Sequence, residues 1–398
     1  MRMRRAPFWA AGSVIALGQW GGTAPSVLYP VYGARWHLSP VTTTTIFAVY
    51  PTLLVIALLI FGSVSDVLGR RFAMLTGAAL IGLGAIVFTF APSELWLYVG
   101  RGISGAGTGI SVGAASAALV EFNRSKSPAR ASAVNTIGSS VGLLGASIVS
   151  GALVQYAPGP TRLPYLVMLI LSLLVGGWVA LGPGQRRTAG VRWRPRPIAV
   201  PAGTRAAFAA AALSIFSGLG LGSIILSLGA QISRDLIHTH NVLVQGLLLG
   251  ISSGVIGLVA LLFRSLPPRT SIMLGGASGV LALAALVPSS LDHSLPLYLA
   301  SQILGGAAMG FALLGGIGLI QREAPAHHRA ALISSFYLVG YLGQGLVATL
   351  AGLAATAWGL PGAIVVFSIA LAAVGIVVMV VARAPSAWRT ASSAVARR

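Results

Sequence analysis

The sequence predicts an all-α integral membrane protein in which twelve transmembrane helices form two pseudo-symmetric bundles of six. Three observations lead to this fold class: the composition, the spacing of the apolar stretches and the distribution of the basic residues. Only 8% of the residues are charged, 56% are hydrophobic and the mean hydropathy is +0.88, whereas ordinary soluble domains carry about 25% charged residues. Lipid is therefore the solvent for most of the chain.

The apolar stretches are long enough to cross a bilayer, which requires about 20 apolar residues per helix. The longest connection divides the chain into an N-terminal bundle at 1–182, a basic cytoplasmic linker at 183–205, a C-terminal bundle at 206–382 and a cytoplasmic tail at 383–398. The twelve predicted spans are 8–33, 41–62, 72–91, 95–120, 131–155, 163–182, 206–231, 241–263, 270–288, 295–320, 330–353 and 360–382.

The basic residues of the connections predict the orientation, because short loops rich in Arg and Lys remain in the cytoplasm. All but four of the 26 basic residues fall on the side that holds both chain ends; Arg35, Arg162 and Arg234 fall on the other side and Arg101 lies within a span. This pattern predicts a multi-pass protein of the cell inner membrane with both termini in the cytoplasm. It also assigns the net charge of +20 to topology and lipid head groups rather than to a nucleic acid.

An internal repeat supports the division into two halves. At an offset of 200 residues, Leu97-Tyr98 recurs as Leu297-Tyr298, which relates the fourth predicted helix to the tenth. Parallel repeats of this kind are a recurrent plan of membrane transporters.

Several enzymatic and cofactor-binding classes are excluded by the sequence. The single lysine, Lys126, follows a serine, so the chain has no phosphate-binding loop of the GxxxxGK[ST] type. The segment Gly250-Ile-Ser-Ser-Gly254 imitates a nucleophile elbow, but all six histidines fall in predicted loops and provide no base for a serine in the membrane. Cysteine is absent, and we expect no catalytic residue, no metal site and no cofactor.

The connection between the second and third spans reads Gly62-Ser-Val-Ser-Asp66-Val-Leu-Gly69-Arg70-Arg71. It resembles the GxxxDxxGRR signature of the major facilitator superfamily. A small residue allows close helix contact, an acid at a helix end accepts charge-assisted hydrogen bonds, and the second glycine permits a tight turn. The resemblance implies the twelve-helix fold of that family and a cytoplasmic latch that stabilises the outward-facing state. The implied latch residues are Gly62, Asp66, Gly69, Arg70, Arg71 and, at the end of the fourth helix, Glu121.

In the fourth span, Arg101 is followed by Gly105, Gly109 and Gly113, which resembles the RxxxGxxxG motif of the same family. Glycines four residues apart form a flat stripe for close helix packing. A charge within a span is costly unless it faces protein or water, so we expect Arg101 to face the cavity, where it binds an anion or influences a proton-carrying group. The alternative is a structural ion pair with an acid such as Glu94.

The fifth span carries Gly138, Gly142 and Gly145, loosely similar to the glycine-rich segment of the family's antiporters. Ala146 stands where that pattern has a proline. The glycines of this segment are compatible both with exchange transport and with simple helix packing.

The resemblance further implies a substrate site between the halves, lined by the first, fourth, seventh and tenth spans. Such a cavity, mostly apolar with one buried cation, suits an amphipathic or anionic organic molecule better than a bare metal ion, which requires convergent oxygen ligands. The candidate cavity or coupling residues are Gln19, Trp20, Arg101, Ser104, Thr108, Ser217, Gln231, Ser301 and Gln302, with Tyr337 and Tyr341 on the eleventh span.

The predicted function is secondary active transport of a small organic molecule, by proton-coupled efflux, in a protein that works as a monomer. No acid lies in the middle of a span, so Asp66 and Glu121 are the candidate proton carriers. A facilitator or proton symporter for a metabolite is an alternative, and a transporter-like membrane sensor or scaffold without flux is another. The expected partners are the substrate, protons and the lipid bilayer, with no nucleic acid.

Overall fold

The computed structural model describes residues 6–62, 64–125, 127–182, 200, 204–237, 241–324 and 329–383. Every regular element in these ranges is helical, which confirms the predicted all-α fold class. The helices are α1 (Ala6–Val27), α2 (Tyr29–Trp36), α3 (Pro40–Phe61), α4 (Val64–Leu68), α5 (Arg70–Thr89), α6 (Glu94–Glu121), α7 (Pro128–Tyr156), α8 (Leu163–Leu181), α9 (Arg205–Ile237), α10 (Val242–Leu262), α11 (Pro268–Leu291), α12 (Leu295–Glu323) and α13 (Arg329–Arg383).

Within the described ranges, ten helices are long and apolar enough to span a membrane. One of them, α13, is interrupted at Gly359, where φ is 76° and ψ is 165°, so it contains two spanning segments. Helix α1 adds a further segment of 22 residues, and the total agrees approximately with the twelve predicted spans. The predicted linker at 183–205 and the tail at 383–398 fall almost entirely outside the described residues, and the bundle boundaries remain predictions.

The first predicted span, 8–33, is broken near Leu28, and the chain continues as the short helix α2. Two prolines explain the break: Pro25 lies inside α1 and Pro30 in the first turn of α2, and a proline nitrogen cannot donate to the preceding turn. Leu28 donates its backbone N–H to Pro25 at 3.1 Å instead of continuing the regular ladder. The break places Tyr29 and Tyr32, both buried, against the neighbouring helices.

Glycines bring the helices of the first half, α1–α8, into backbone contact. On α6, a Cβ at Gly105 would overlap the carbonyl oxygen of Tyr50, and one at Gly109 would overlap that of Leu54, both on α3. Gly113 faces Ser334 of α13, whose Oγ lies 2.7 Å from where a Cβ would stand. The glycine stripe of α6 therefore packs on α3 of the first half and, at Gly113, on α13 of the second half.

The glycines of α7 pack on α1 in the same way. A Cβ at Gly138 would lie 2.9 Å from the carbonyl oxygen of Gly12, and one at Gly142 would overlap the carbonyl oxygen of Ala16. The ring of Trp20 lies 2.7 Å from the Cβ position of Gly145. Helices α1 and α7 thus form one tightly packed pair.

The second half, α9–α13, meets the first half mainly along two helix pairs, α3 with α13 and α7 with α10. Gly352 of α13 lies directly against Thr44 of α3, and a Cβ at Gly246 of α10 would lie 2.5 Å from the carbonyl oxygen of Ser147 on α7. We call the end of the bundle that holds Arg70 and Glu121 the latch side and the other end the opposite side. The outer surface exposes large apolar side chains, including Leu173, Leu174 and Ile369, as lipid contact requires.

Candidate functional site

A cavity lies at the centre of the molecule, where both halves contribute to its wall. About 70 Å³ of it is accessible to the centres of water molecules, room for roughly five waters. The described part of its lining is mostly apolar and includes no Asp, Glu, Lys, Arg or His. The lining residues are Gln19, Gly22, Thr23, Phe47, Tyr50, Leu143, Gly218, Leu219, Leu221, Gly222, Ile225, Leu226, Leu249, Ser252, Ser253, Ile256, Gly305, Gly306, Met309, Tyr341 and Gln344.

One hydrogen bond at the cavity wall joins the two halves directly. Gln19 Nε2 on α1 donates to Tyr341 Oη on α13 at 3.3 Å. Nearby on α1, the buried hydroxyl of Thr23 has no hydrogen-bond partner in the structure. Because a buried hydroxyl without a partner is costly, this group is available to a bound molecule.

A second layer of polar residues supports the lining from behind. Tyr50 Oη donates to the carbonyl of Gly18 at 2.7 Å and lies 3.0 Å from Thr108 Oγ1. Across the cavity, Ser252 Oγ donates to Gln302 Oε1, and Gln302 Nε2 in turn lies 2.6 Å from Tyr298 Oη. Of the predicted cavity residues, Gln19 and Tyr341 line the space, whereas Thr108 and Gln302 fix residues that do.

Arg101 is fully buried and lies outside the cavity lining, behind the first layer of its wall. Its Nε donates to Tyr29 Oη at 2.9 Å, and its Nη2 donates to Ser26 Oγ at 2.8 Å and also contacts Tyr29 Oη. Nη1 donates to the carbonyl of Gly22. The alternative ion pair with Glu94 does not form among the described residues, because the guanidinium donates to the neutral oxygens of Tyr29, Gly22 and Ser26 and Glu94 is exposed.

The other candidate cavity residues lie among the packed helices. Trp20 Nε1 and the hydroxyls of Ser104 and Ser301 are buried without hydrogen-bond partners among the described residues, and none of the three belongs to the described cavity lining. Ser217, also buried, is absent from the lining as well. The side chain of Gln231 lies outside the described part of the structure.

Tyr337 belongs to a contact between the halves on the latch side of the cavity. Its hydroxyl donates to Asn135 Oδ1 at 2.7 Å, and Asn135 Nδ2 donates to Ser116 Oγ at 2.7 Å. Ser132, one turn before Asn135 on α7, donates to the carbonyl of Leu314 on α12 at 3.2 Å. These bonds close the latch side of the cavity.

On the opposite side, the halves are joined by apolar contacts and by a hydrogen bond to the backbone. Leu28 of the α1–α2 junction belongs to the same buried cluster as Ile224 and Ile225 of α9. At the edge of this region the side-chain oxygen of Gln155 on α7 accepts a hydrogen bond from the backbone of Val242 on α10 at 2.9 Å. The two halves therefore contact each other on both sides of the cavity.

The predicted latch residues meet at the latch side of the first half. Arg70 Nε lies 3.8 Å from Glu121 Oε2, and Arg70 Nη1 donates to Ser65 Oγ. Arg71 donates to the carbonyl of Ala180 at the end of α8. Gly69 has φ 91° and ψ 153°, a backbone conformation that side chains rarely adopt, and it turns the chain from α4 into α5.

Two predicted latch residues are described less fully. Gly62 ends α3 and faces Ser334 of α13 at 3.8 Å from its Cβ position, while the side chain of Asp66 lies outside the described part of the structure. In the second half, Arg269 donates to the carbonyl of Arg383 at 3.0 Å rather than to an acid of its own loop.

The sequence profile of the Major Facilitator Superfamily matches residues 9–348. The chain belongs to this superfamily. No match is found among curated proteins. The fold is similar to that of the nucleoside transporter NupG, with a TM-score of 0.66 at 15% identity over 96% of this chain and 100% of the other. It is also similar to the human organic anion transporter MFSD10 (TETRAN), with a TM-score of 0.72 at 14% identity over 96% and 99% of the chains.

This major facilitator protein is thus a multi-pass membrane transporter, as the motif between the second and third spans predicted. Its cavity also uses residues that the sequence did not single out: Tyr50, Ser252, Ser253 and Gln344. Ser252 and Ser253 were visible as a polar pair within an apolar span, but their pattern resembled an enzyme motif.

Proposed function

We propose that this transporter exports a small amphipathic organic molecule across the inner membrane in exchange for protons, by alternating access of the central cavity. The observation that carries the proposal is the cavity itself, which is walled by both halves and has contacts between them on either side. In the proposed cycle the Tyr337–Asn135 contact opens on the latch side while the cluster around Leu28 stays closed. The Leu28 cluster then opens on the opposite side while the Tyr337–Asn135 contact is closed. The latch side faces the cytoplasm, and the protein works as a monomer.

The character of the lining supports an organic substrate. Apolar side chains dominate the wall, and Gln19, Thr23, Tyr341 and Gln344 offer hydrogen bonds without charge. A bare metal ion would require several convergent oxygen ligands. The present volume holds only a few waters, so the halves must separate slightly to admit a substrate of the size that NupG or MFSD10 is named for.

Exchange against protons rests on two features. The glycines of α7 pack it closely against α1, which carries Gln19 and Thr23, so movement of either helix is transmitted to the cavity wall. Asp66 and Glu121 on the latch side are the acids placed to carry a proton. A facilitator is a second candidate, favoured because the described lining contains no carboxylate that a proton could neutralise.

The test is counterflow in proteoliposomes, with a panel of labelled amphipathic compounds and with or without an imposed pH gradient. Proton exchange predicts that an acid-inside gradient drives accumulation of the substrate against its own gradient, because protons leave as substrate enters, whereas accumulation driven by an acid-outside gradient would indicate proton symport. A facilitator gives counterflow that no pH gradient can drive, and a sensor or scaffold gives no flux. Gly222→Phe is the matched control, because Gly222 lines the cavity and its Cβ position meets no atom within 4 Å, so the new side chain starts in open space and its ring is expected to block the cavity.

A further inference from the structure

The distribution of charge around the central cavity is uneven. Among the described residues, the lining carries no charged side chain, but one cation, Arg101, is buried one layer behind it. Gly22, Phe47 and Tyr50 separate the two: each lines the cavity, and each also contacts the guanidinium. The carbonyl of Gly22 accepts from Nη1, and the rings of Phe47 and Tyr50 have centroids 5.6 Å and 5.9 Å from Cζ.

The positive charge of Arg101 has no carboxylate against it among the described side chains. Its hydrogen-bond partners are the neutral oxygens of Gly22, Ser26 and Tyr29. Glu94, on the same helix, lies seven residues earlier, about 10 Å along the axis, and is exposed. Neutral dipoles solvate a guanidinium but do not cancel its net charge, so its field extends into the cavity.

The distance makes this field significant for a bound molecule. A substrate charge on the far side of the rings lies about 9 Å from the guanidinium, within the range over which charges in a protein interior still interact appreciably at an effective dielectric constant of about 20. Water and salt screen a buried charge much less than an exposed one. A cation in the cavity is therefore repelled, whereas a neutral molecule is unaffected.

The aromatic wall does not offset this repulsion. Aromatic faces commonly attract organic cations, but the rings of Phe47, Tyr50 and Tyr29 already have the guanidinium of Arg101 within 6 Å of their centroids. A second cation on the cavity side of Phe47 or Tyr50 would share the ring with a charge of the same sign. The charge of Arg101 and the occupied faces of the rings therefore both disfavour a cation in the cavity.

We infer that Arg101 is a charge filter that acts through Phe47 and Tyr50: the cavity accepts uncharged and anionic amphipathic molecules and rejects organic cations. This inference rests on the proposed role of the cavity as the substrate site. Arg101 acts here without touching the substrate. It sets specificity by its charge and holds α1 in place by its hydrogen bonds.

The experiment measures binding by three probes that share a naphthyl body and differ in charge: 1-naphthylmethanol, 1-naphthoate and 1-naphthylmethyltrimethylammonium. Equilibrium dialysis is carried out with the full-length protein in lipid nanodiscs, and empty nanodiscs report partition into lipid. Gly222→Phe identifies the fraction of binding that belongs to the cavity. The wild type is expected to bind the cation at least tenfold more weakly than the alcohol, and equal affinity for the two would overturn the inference without any variant of Arg101.

Two substitutions then separate charge from structure. Arg101→Gln removes the charge and keeps a hydrogen-bonding side chain, so the ratio of cation to alcohol affinity is expected to rise roughly tenfold with the alcohol affinity little changed. Arg101→Lys keeps the charge and loses the planar fork, so the ratio is expected to stay at the wild-type value. A merely structural role predicts that both variants weaken all three probes in proportion, and this outcome would reject the filter.

These outcomes are distinct from failure of the proposed function. Binding with charge discrimination but no flux in proteoliposomes would reject transport and leave the filter intact. Flux of organic cations at the same rate as of matched neutral compounds would reject the filter and leave transport intact. Absence of Gly222→Phe-sensitive binding by the alcohol and the carboxylate would overturn both the filter and the cavity assignment.

Discussion

The hydroxyl of Tyr337 donates a hydrogen bond at 2.7 Å to the side-chain oxygen of Asn135, which lies 202 residues earlier in the chain. Both residues are almost completely buried, and they belong to different halves of the transporter. Asn135 is held in turn by Ser116 of α6. A short chain of neutral hydrogen bonds therefore joins the halves on the latch side, where the described contacts of Arg70 and Arg71 lie within the first half.

Tyr337→Phe should favour the conformation that is open on the latch side. The change leaves Asn135 Oδ1 buried without this donor only while the latch side is closed, which costs that state about 1 kcal/mol or more and raises the open population roughly fivefold or more. A cysteine in place of Ala133, buried between α7 and the α10–α12 pair, reports the opening by its rate of alkylation. The native chain has no cysteine, so this thiol alone reacts.

Tyr98→Phe is the matched control for that change. Tyr98 Oη is hydrogen-bonded to Thr45 Oγ1 at 2.8 Å, and both residues lie in the first half. Its loss should leave the alkylation of the cysteine at position 133 unaltered. Equal rates for Tyr337→Phe and the parent would mean that the Tyr337–Asn135 contact does not hold the latch side closed.

For the charged latch, Glu121→Gln and Asp66→Asn should slow transport while the protein remains correctly inserted. The Arg70–Glu121 pair is long, at 3.8 Å, and the Glu121 side chain is 49% exposed, so its loss should change the free energy of unfolding by less than about 1 kcal/mol. The expected effect is therefore on the balance of conformations, measured as the initial rate of counterflow. Glu94→Gln, at the other end of α6, is the control. A latch variant with the same rate of counterflow as this control would contradict the latch role that the family resemblance implies.

Most of the fold could be predicted from the sequence, because a span exposed to lipid must satisfy its backbone internally and be apolar over about 20 residues. Helix α10, Val242–Leu262, lies within one residue of the predicted 241–263 at each end. The faces of the helices could not be predicted, since a span that is apolar all round gives no strong periodic signal. Tyr50, on a helix not expected to line the cavity, was missed for this reason.

Arg101 shows which part of the candidate site could be predicted from the sequence. Residues four positions apart lie on one face of a helix, so the side chain of Arg101 shares a face with Gly105 and Gly109. These glycines pack on Tyr50 and Leu54 of α3, and Arg101 accordingly lies behind the α3 side of the cavity wall. The spacing of the motif therefore fixes the face of α6 on which Arg101 lies. The direction of that face becomes known only when the helix that the glycines contact is known.

The orientation is tested at the two ends of α11. Ser265 and Asp292 are both exposed and flank this helix on the latch side and the opposite side. A cysteine at Asp292 should react with a membrane-impermeant maleimide added to intact cells, and a cysteine at Ser265 should react only after permeabilisation. Ser289, three residues before Asp292, is unsuitable because it is fully buried. Labelling of the Ser265 position in intact cells would invert the proposed topology.

The last prediction concerns the glycine stripe of α6. A methyl group at Gly109 would overlap the carbonyl oxygen of Leu54 and lie 3.0 Å from the Cβ of Ala57, and both atoms belong to a helix that cannot yield locally. Gly109→Ala should therefore force α3 and α6 apart and destabilise the transporter by about 1–3 kcal/mol, visible as a lower apparent melting temperature in detergent.

The control for Gly109→Ala is Gly177→Ala on α8, because no atom lies within 4 Å of the Cβ position of Gly177. In that open position alanine should stabilise the helix slightly through its higher helix propensity, so the two variants should shift the melting temperature in opposite directions. Since α3 also carries Phe47 and Tyr50 of the cavity wall, Gly109→Ala should weaken binding of 1-naphthylmethanol in addition. A Gly109→Ala protein that melts at the same temperature as Gly177→Ala would mean that α3 and α6 are not held at backbone contact in the membrane.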